Sequence, residues 1–211
     1  MIKVNSNGKT IRILGFAGSL RKNSFNKALL RAARELLPEN ATLEIFDLEG
    51  IPLFNQDKEN GELPERVKEF KGKVEKSDAI LIATPEYAKS FPGVLKNAMD
   101  WAERPYGHNS FDGKTAALIS ASPSMLGGAR AQYQLRQVLV DLNVYTINRP
   151  EVFVSFAHQK FDANGRLIDE SARTFLKELL ENLVQTTRQM QEGRVALEEG
   201  TKEESISVET S

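Results

Sequence analysis

Ile11-Arg-Ile-Leu-Gly-Phe-Ala-Gly-Ser-Leu-Arg-Lys-Asn-Ser-Phe-Asn26 is the stretch that decides the fold. Residues 11–16 are an apolar run of strand length, and after a short polar loop the hydrophobic period changes. Across 25–37, Ala28, Leu29, Ala32, Ala33 and Leu36 fall on one side of a helix. A strand feeding a helix through such a loop opens a βαβ unit, and the alternation continues down the chain.

Strand-length apolar runs follow at 43–46, 79–83, 116–119 and 152–156. Helical patterns lie between them at 64–76 (Val67, Phe70, Val74), 94–103 and 129–142, and Phe175, Leu176, Leu179, Leu180 and Leu183 mark a last helix. Runs this apolar predict strands covered on both faces, as in a parallel sheet. With right-handed crossovers the order βαβαβαβαβα gives a doubly wound sandwich whose ligand crevice lies at the carboxyl ends of the strands. The chemistry is therefore expected in the loops that follow strands.

The 211 residues, 40% of them hydrophobic, suffice for one sizeable core, so residues 1–191 are expected to form a single domain. Residues 192–211 carry Glu198, Glu199, Glu203, Glu204 and Glu209 with little apolar content and are expected to be an acidic tail without fixed structure. Lysine and arginine total 28 against 29 acidic residues, which leaves no long-range field for nucleic acid or an anionic membrane. Zero cysteines exclude disulfides, thiol catalysis and cysteine-ligated metals, and suit a reducing cytoplasm. Redox chemistry would need a cofactor. No leader-like or membrane-spanning apolar stretch is visible, and a cytoplasmic protein is the expectation.

The first loop gathers Ser19, Arg21, Lys22, Ser24 and Asn26 around a helix N-terminus. Free N–H groups and the helix dipole favour a phosphate there, with serine and asparagine donors and the Arg21 charge beside it. Taken alone, the loop reads equally well as Ser24 capping a helix beside a solvated Arg21. The loop after the third apolar run, Thr84-Pro-Glu-Tyr-Ala-Lys-Ser-Phe-Pro-Gly-Val-Leu-Lys-Asn-Ala-Met-Asp-Trp101, is the second witness. Pro85, Glu86 and Tyr87 could form the wall and polar edge needed by a flat tricyclic ring, with donors placed to tune its reduction. Read blandly, Pro85 and Pro92 are turn and helix-start residues, and Trp101 is expected to anchor its helix in the core.

Two further patterns carry no weight. Gly107-His-Asn-Ser-Phe-Asp-Gly-Lys-Thr115 has one residue too many for a nucleotide P-loop and leads into a strand. His108 and His158 are the only histidines and lack neighbouring ligands, so neither a metal site nor a hydrolase triad is expected.

Gly18-Ser-Leu-Arg-x-x-Ser-x-Asn26 joined to Pro85-Glu-Tyr-x-x-Ser-x-Pro-Gly-x-Leu-Lys-Asn-Ala-x-Asp-Trp101 resembles the NADPH-dependent FMN reductase family, with its quinone, chromate and azo-dye reductases. The likeness spans about residues 11–185, adding Asp47-Leu-Glu-Gly-Ile-Pro-Leu-Phe-Asn-Gln-Asp57 and Gly127-Gly-Ala-Arg-x-Gln-x-x-Leu-Arg136. It implies a flavodoxin-like three-layer α/β sandwich with a five-stranded parallel sheet in the order 2-1-3-4-5. It also implies FMN as cofactor, its phosphate on Ser19, Arg21, Ser24 and Asn26 within a binding loop that includes Leu20, Lys22, Asn23 and Phe25. Pro85, Glu86, Tyr87 and Ala88 would meet the isoalloxazine, and Ser122 would join from the loop after the fourth strand. Two departures stand out: the family usually has asparagine at Ala88, and often an extra glycine before Gly127-Gly128.

The activity implied is hydride transfer from NADPH or NADH to flavin N5, then electron transfer to a small acceptor: a quinone, azo compound, chromate or free flavin. No side chain is expected to be catalytic, though Tyr87 or solvent could protonate a quinone oxygen. The resemblance further implies a homodimer or homotetramer, for which Arg130, Tyr133 and Arg136 are candidate contacts or simply a solvated helix face. The competing readings are a flavodoxin-type electron carrier with a protein partner, and a protein that keeps the fold without flavin.

Overall fold

The computed structural model describes residues 9–59 and 61–209, with the side chains of 198–209 excepted. Its elements are β1 (Ile11–Ala17), α1 (Phe25–Glu35), β2 (Ala41–Phe46), α2 (Glu65–Lys76), β3 (Ala79–Ala83), α3 (Gly93–Glu103), β4 (Thr115–Ala121), α4 (Ala129–Asp141), β5 (Tyr145–Thr146), β6 (Val152–Val154), α5 (Ala157–Lys160) and α6 (Glu170–Glu209). All pairings in the sheet are parallel and the order is β2-β1-β3-β4-β5, as expected, with β6 also on β4.

Alternation along the strands divides the core into two layers. Ile11 and Ile13 of β1 face Leu29 and Leu30 of α1 and Leu176, Leu180 and Leu183 of α6. Leu14 and Phe16 face the other way, onto Phe70 of α2, Leu95 and Met99 of α3 and Leu135 of α4. β3 and β4 are buried at every position. Phe16, Phe46 and Phe111 gather around Phe70 with centroids 5.3, 5.3 and 6.3 Å away, and each such pair contributes about 0.5–1.5 kcal/mol beyond burial.

Two places differ from the sequence reading. The place of the expected fifth strand, 152–156, is shared by two short strands: β5, outside that range, pairs the start of β4, Thr115↔Tyr145 and Ala116↔Thr146, while β6 pairs its end, Ile119↔Val152 to Ala121↔Val154. Pro150 between them has no N–H for a ladder. The strand then stops at Val154 because Phe156 turns left-handed at φ 49° and gives its amide to the Ser124 carbonyl at 3.2 Å. The second difference is α6, which is helical to Glu209, through most of the stretch expected to be an acidic tail without fixed structure. Extending an established helix avoids the cost of nucleating a new one, so weak amphipathicity does not end it. Residues 210–211 of that tail, and the first eight residues read for a leader, lie outside the described residues.

Candidate functional site

The loops after β1, β3 and β4 meet at the carboxyl edge of the sheet. Gly18 makes the first contact possible: its amide donates to the Ala83 carbonyl at 2.9 Å, and a Cβ there would stand 2.8 Å from Pro92 Cγ and 3.2 Å from Pro85 Cδ. Any larger residue would push the first two loops apart.

Ser24 caps α1 in extended conformation, its Oγ accepting from Lys27 N at 3.3 Å. The bland reading of Ser24 is thus correct, yet a hydroxyl that accepts still has a proton to donate. Among the described residues, no backbone amide of 19–26 donates within the chain, and the side chains of Ser19, Arg21, Lys22 and Asn23 make no hydrogen bond or ion pair. Lys27 is spent on Asp47 at 2.6 Å. Burial pushes Asp47 up, but the bonds from Lys27 and the Glu49 amide outweigh it and hold the carboxyl below its usual range. Among the described residues, Arg21 and Lys22 are therefore the cations of this loop left unpaired. Phe25 turns its ring to Phe161, centroids 5.4 Å apart, and its amide donates to nothing among the described residues.

In the second loop, Tyr87 and Ser90 exchange backbone bonds of 2.9 and 3.0 Å around Ala88 at φ 48° and Lys89 at φ 64°. Two left-handed residues inside such a bridge are the signature of a type I′ turn, which favours asparagine and glycine. The asparagine that the resemblance leads one to expect at position 88 would thus have a backbone reason, and Ala88 occupies the conformation without that advantage. Helix α4 grips the turn from one side. Arg130 Nε donates to Glu86 Oε1 at 2.6 Å, and Gln134, one turn on, donates to the Lys89 carbonyl at 2.9 Å and accepts from Ser90 Oγ at 2.5 Å. Glu86 Oε2 is buried without a partner.

The third loop begins where β4 ends. The Asn26 side chain donates to the Ala121 carbonyl at 2.9 Å and accepts the Ala121 amide at 3.0 Å. Ser122 Oγ lies 3.0 Å from Ser124 Oγ, and Ser120 Oγ donates to the Gly127 carbonyl at 2.7 Å. Gly128 caps α4 at φ 95°, and a Cβ on it would be 2.7 Å from Ser120 Cβ.

One cleft brings together Ser19, Arg21, Ser24, Phe25 and Asn26 of the first loop, Pro85, Glu86 and Tyr87 of the second, and Ser122 of the third. Leu20, Lys22, Asn23 and Ala88 stand outside its lining and are exposed. A larger hollow of about 570 Å³ lies along α6 by Arg188, but it meets no strand-end loop.

Sequence reasoning missed the supports. Asn97 takes the Phe54 amide at 2.7 Å and donates to the Pro52 carbonyl at 2.9 Å, which also accepts from Trp101 Nε1 at 2.8 Å. Asn97 and Trp101 thus hold the loop after β2, and the fully buried Trp101 is the anchor expected. In the sequence Arg130 reads only as a candidate contact between copies or a solvated residue, and Gln134 is not singled out; the signal that could find them is their spacing of four, which puts both on one helix face. The three residues offered as contacts between copies are each bonded within the chain: Arg130 to Glu86, Tyr133 Oη to Glu151 at 2.9 Å, and Arg136 to the Ile147 carbonyl at 2.9 Å.

The residues fit a phosphorylated flavin: free amides and the unpaired Arg21 at one end of the cleft, with Lys22 on its rim, and a proline-lined wall and a shaped turn at the other. Residues 11–159 match the NADPH-dependent FMN reductase family, and the chain belongs to it. It is 47% identical over 173 residues to an NAD(P)H-dependent FMN reductase of Pseudomonas aeruginosa, covering 82% of this chain and 93% of that one. A 2-hydroxy-1,4-benzoquinone reductase of a Burkholderia species is 39% identical over 171 residues, covering 81% and 93%. Among solved structures, the flavoenzyme NAD(P)H:(acceptor) oxidoreductase of Paracoccus denitrificans superposes with a TM-score of 0.79 at 34% identity, covering 85% of this chain and 98% of that one. The protein is an FMN-dependent NAD(P)H oxidoreductase with the flavodoxin-like fold.

Proposed function

We propose that FMN lies across the three loops with its phosphate on the amides of 19–26, and that the enzyme passes electrons from NAD(P)H to a quinone. The observation that carries the placement is the set of unpaired amides at the α1 N-terminus beside Arg21 and Lys22, which pair with nothing among the described residues. A dianion there would gain the helix dipole and charge-assisted bonds worth about 1.5–3 kcal/mol each. Ser19 and Ser24 would donate hydroxyls and Arg21 a second charge. Pro85, Glu86, Tyr87 and Ala88, with Ser122 opposite, would border the isoalloxazine. Leu20, Lys22 and Asn23 would flank it from the rim, and Phe25 would contribute its amide.

When bound, FMN supplies the two-electron chemistry that no side chain of this protein can. The chain's own part is to hold the ring by backbone groups, exclude water from the proline side and leave the other side open. Tyr87 is 47% exposed at that opening and can deliver a proton to a reduced quinone oxygen. Support for a quinone as acceptor comes from relatives named quinone reductase in Pseudomonas putida, 42% identical over 160 residues. Zero cysteines suit the reducing cytoplasm in which such an enzyme would work.

A homodimer or homotetramer is part of the same proposal. Its support is the exposed apolar rim of the third loop, Met125 at 70% and Leu126 at 41%, with Phe156 at 43% beside it. Light scattering on the purified protein would give its mass directly, and a monomer would refute this part. Initial rates with NADPH and benzoquinone varied together test the shared open face: parallel double-reciprocal lines are expected, and intersecting lines would refute it.

A further inference from the structure

Asn26 ends the motif that the family resemblance assigns to phosphate binding, but in this structure its side chain is engaged elsewhere. The residue is buried, its amide nitrogen donating to the Ala121 carbonyl at 2.9 Å and its amide oxygen accepting the Ala121 N–H at 3.0 Å. The sheet explains why Ala121 needs this. β3 ends at Ala83, opposite Ile119, and the Ile119 carbonyl accepts the Thr84 amide at 2.9 Å. Two residues on, Ala121 points its N–H and carbonyl to the same side, where β3 has already left the sheet. Unpaired, those buried groups would be costly. The Asn26 amide takes the place of the missing strand, as a peptide group would.

The consequence reaches both ends of the cleft. Asn26 is the second residue of α1, two residues after the Ser24 cap and within the run of free amides. Ala121 is the last residue of β4, one step before Ser122, whose amide is itself fixed to the Val154 carbonyl at 3.0 Å. The clip therefore sets the separation between the phosphate end and the ring end.

We propose that Asn26 is a positioning residue that gauges the length of FMN: it aligns the two ends so that phosphate and isoalloxazine are engaged at once, and it is not a phosphate ligand. This rests on the FMN placement proposed above. When two linked groups bind two sites, affinity gains from simultaneous engagement, and that gain is lost when the spacing is wrong. Loss of the clip should thus weaken FMN while sparing each part taken alone.

The test uses the full chain freed of flavin, with FMN, riboflavin and inorganic phosphate as separate probes, each read by calorimetry or flavin fluorescence. The variants are Asn26→Ala and the near-isosteric, uncharged Asn26→Leu, each of which removes both bonds to Ala121 without setting a charge beside the phosphate. Circular dichroism confirms the fold of each. The expected result is a loss of at least tenfold in FMN affinity with riboflavin and phosphate held within about twofold. A parallel fall in FMN and phosphate would make Asn26 a ligand, and a fall of all three with the folded fraction would make it merely structural; unchanged FMN affinity, or a loss shared by riboflavin alone, would equally overturn the gauge. Arg21→Ala separates the two levels of inference. It should weaken FMN and phosphate and spare riboflavin, whereas unchanged FMN affinity there would refute the site placement and the gauge with it.

Discussion

The turn at Ala88 and Lys89 offers the sharpest test of the local physics. Both residues are left-handed, at φ 48° and 64°, inside the Tyr87–Ser90 bridge. A non-glycine residue in that region costs about 1–2 kcal/mol. Asparagine tolerates it, and glycine removes the steric cost while forfeiting about 0.5–1 kcal/mol of chain entropy. Ala88→Asn with Lys89→Gly writes the preferred type I′ pair and should stabilise the flavin-free protein by about 1 kcal/mol. For a chain of this length that is a rise in Tm of about 2–4 °C. The Lys89 carbonyl still accepts from Gln134, since only side chains change. In denaturant the midpoint should move with an unchanged slope, because the surface exposed on unfolding is the same. Ala88→Val, branched at Cβ, should move Tm the other way. An unchanged or lower Tm in the Asn-Gly variant, or an unaffected Val variant, would refute the reasoning.

Three further outcomes follow from the same contacts. Gly18→Ala places a methyl 2.8 Å from Pro92 Cγ, so it should destabilise by about 1–3 kcal/mol and weaken FMN binding, read by thermal melts and flavin fluorescence. Arg130→Ala strands the buried Glu86 carboxylate, already short of one partner, and should cost about 1–3 kcal/mol; Arg130→Ala with Glu86→Gln should recover part of it in the same melts. Asp169 caps α6 by accepting the Ala172 amide at 2.9 Å, and Lys160 with that amide holds its carboxyl below the usual range. A depressed carboxyl stabilises above the unfolded value of about 4 and loses that contribution as pH falls through the folded one. Asp169→Ala should therefore cost about 1 kcal/mol at pH 7 and progressively less under acid, measured by unfolding at each pH.

Strand and helix positions were legible because burial on both faces leaves continuous apolar runs, as in β3, where Ala79 to Ala83 read and fold alike. The sharing of the last place in the sheet by two short strands was not, because Tyr145-Thr146 is too short to register as a run and its pairing depends on where β4 lies. At the site, the first-loop residues announced themselves by type and spacing at a helix start. What they do not announce is commitment: Asn26 reads as a free donor and is engaged by Ala121, 95 residues away, while Lys27, absent from the site reading, is engaged by Asp47. Asn97 and Trp101 likewise look like helix surface and core until Pro52 is brought beside them. Such pairings are set by tertiary approach, which no local pattern encodes.

The most direct measurement is an anaerobic titration of the FMN-loaded protein with NADPH and, separately, NADH, following the flavin absorbance and then adding a quinone. Stoichiometric bleaching by at least one nucleotide, with the colour restored by quinone, is the predicted result. Bound flavin that neither nucleotide bleaches would contradict the oxidoreductase assignment and leave an FMN-holding electron carrier in its place.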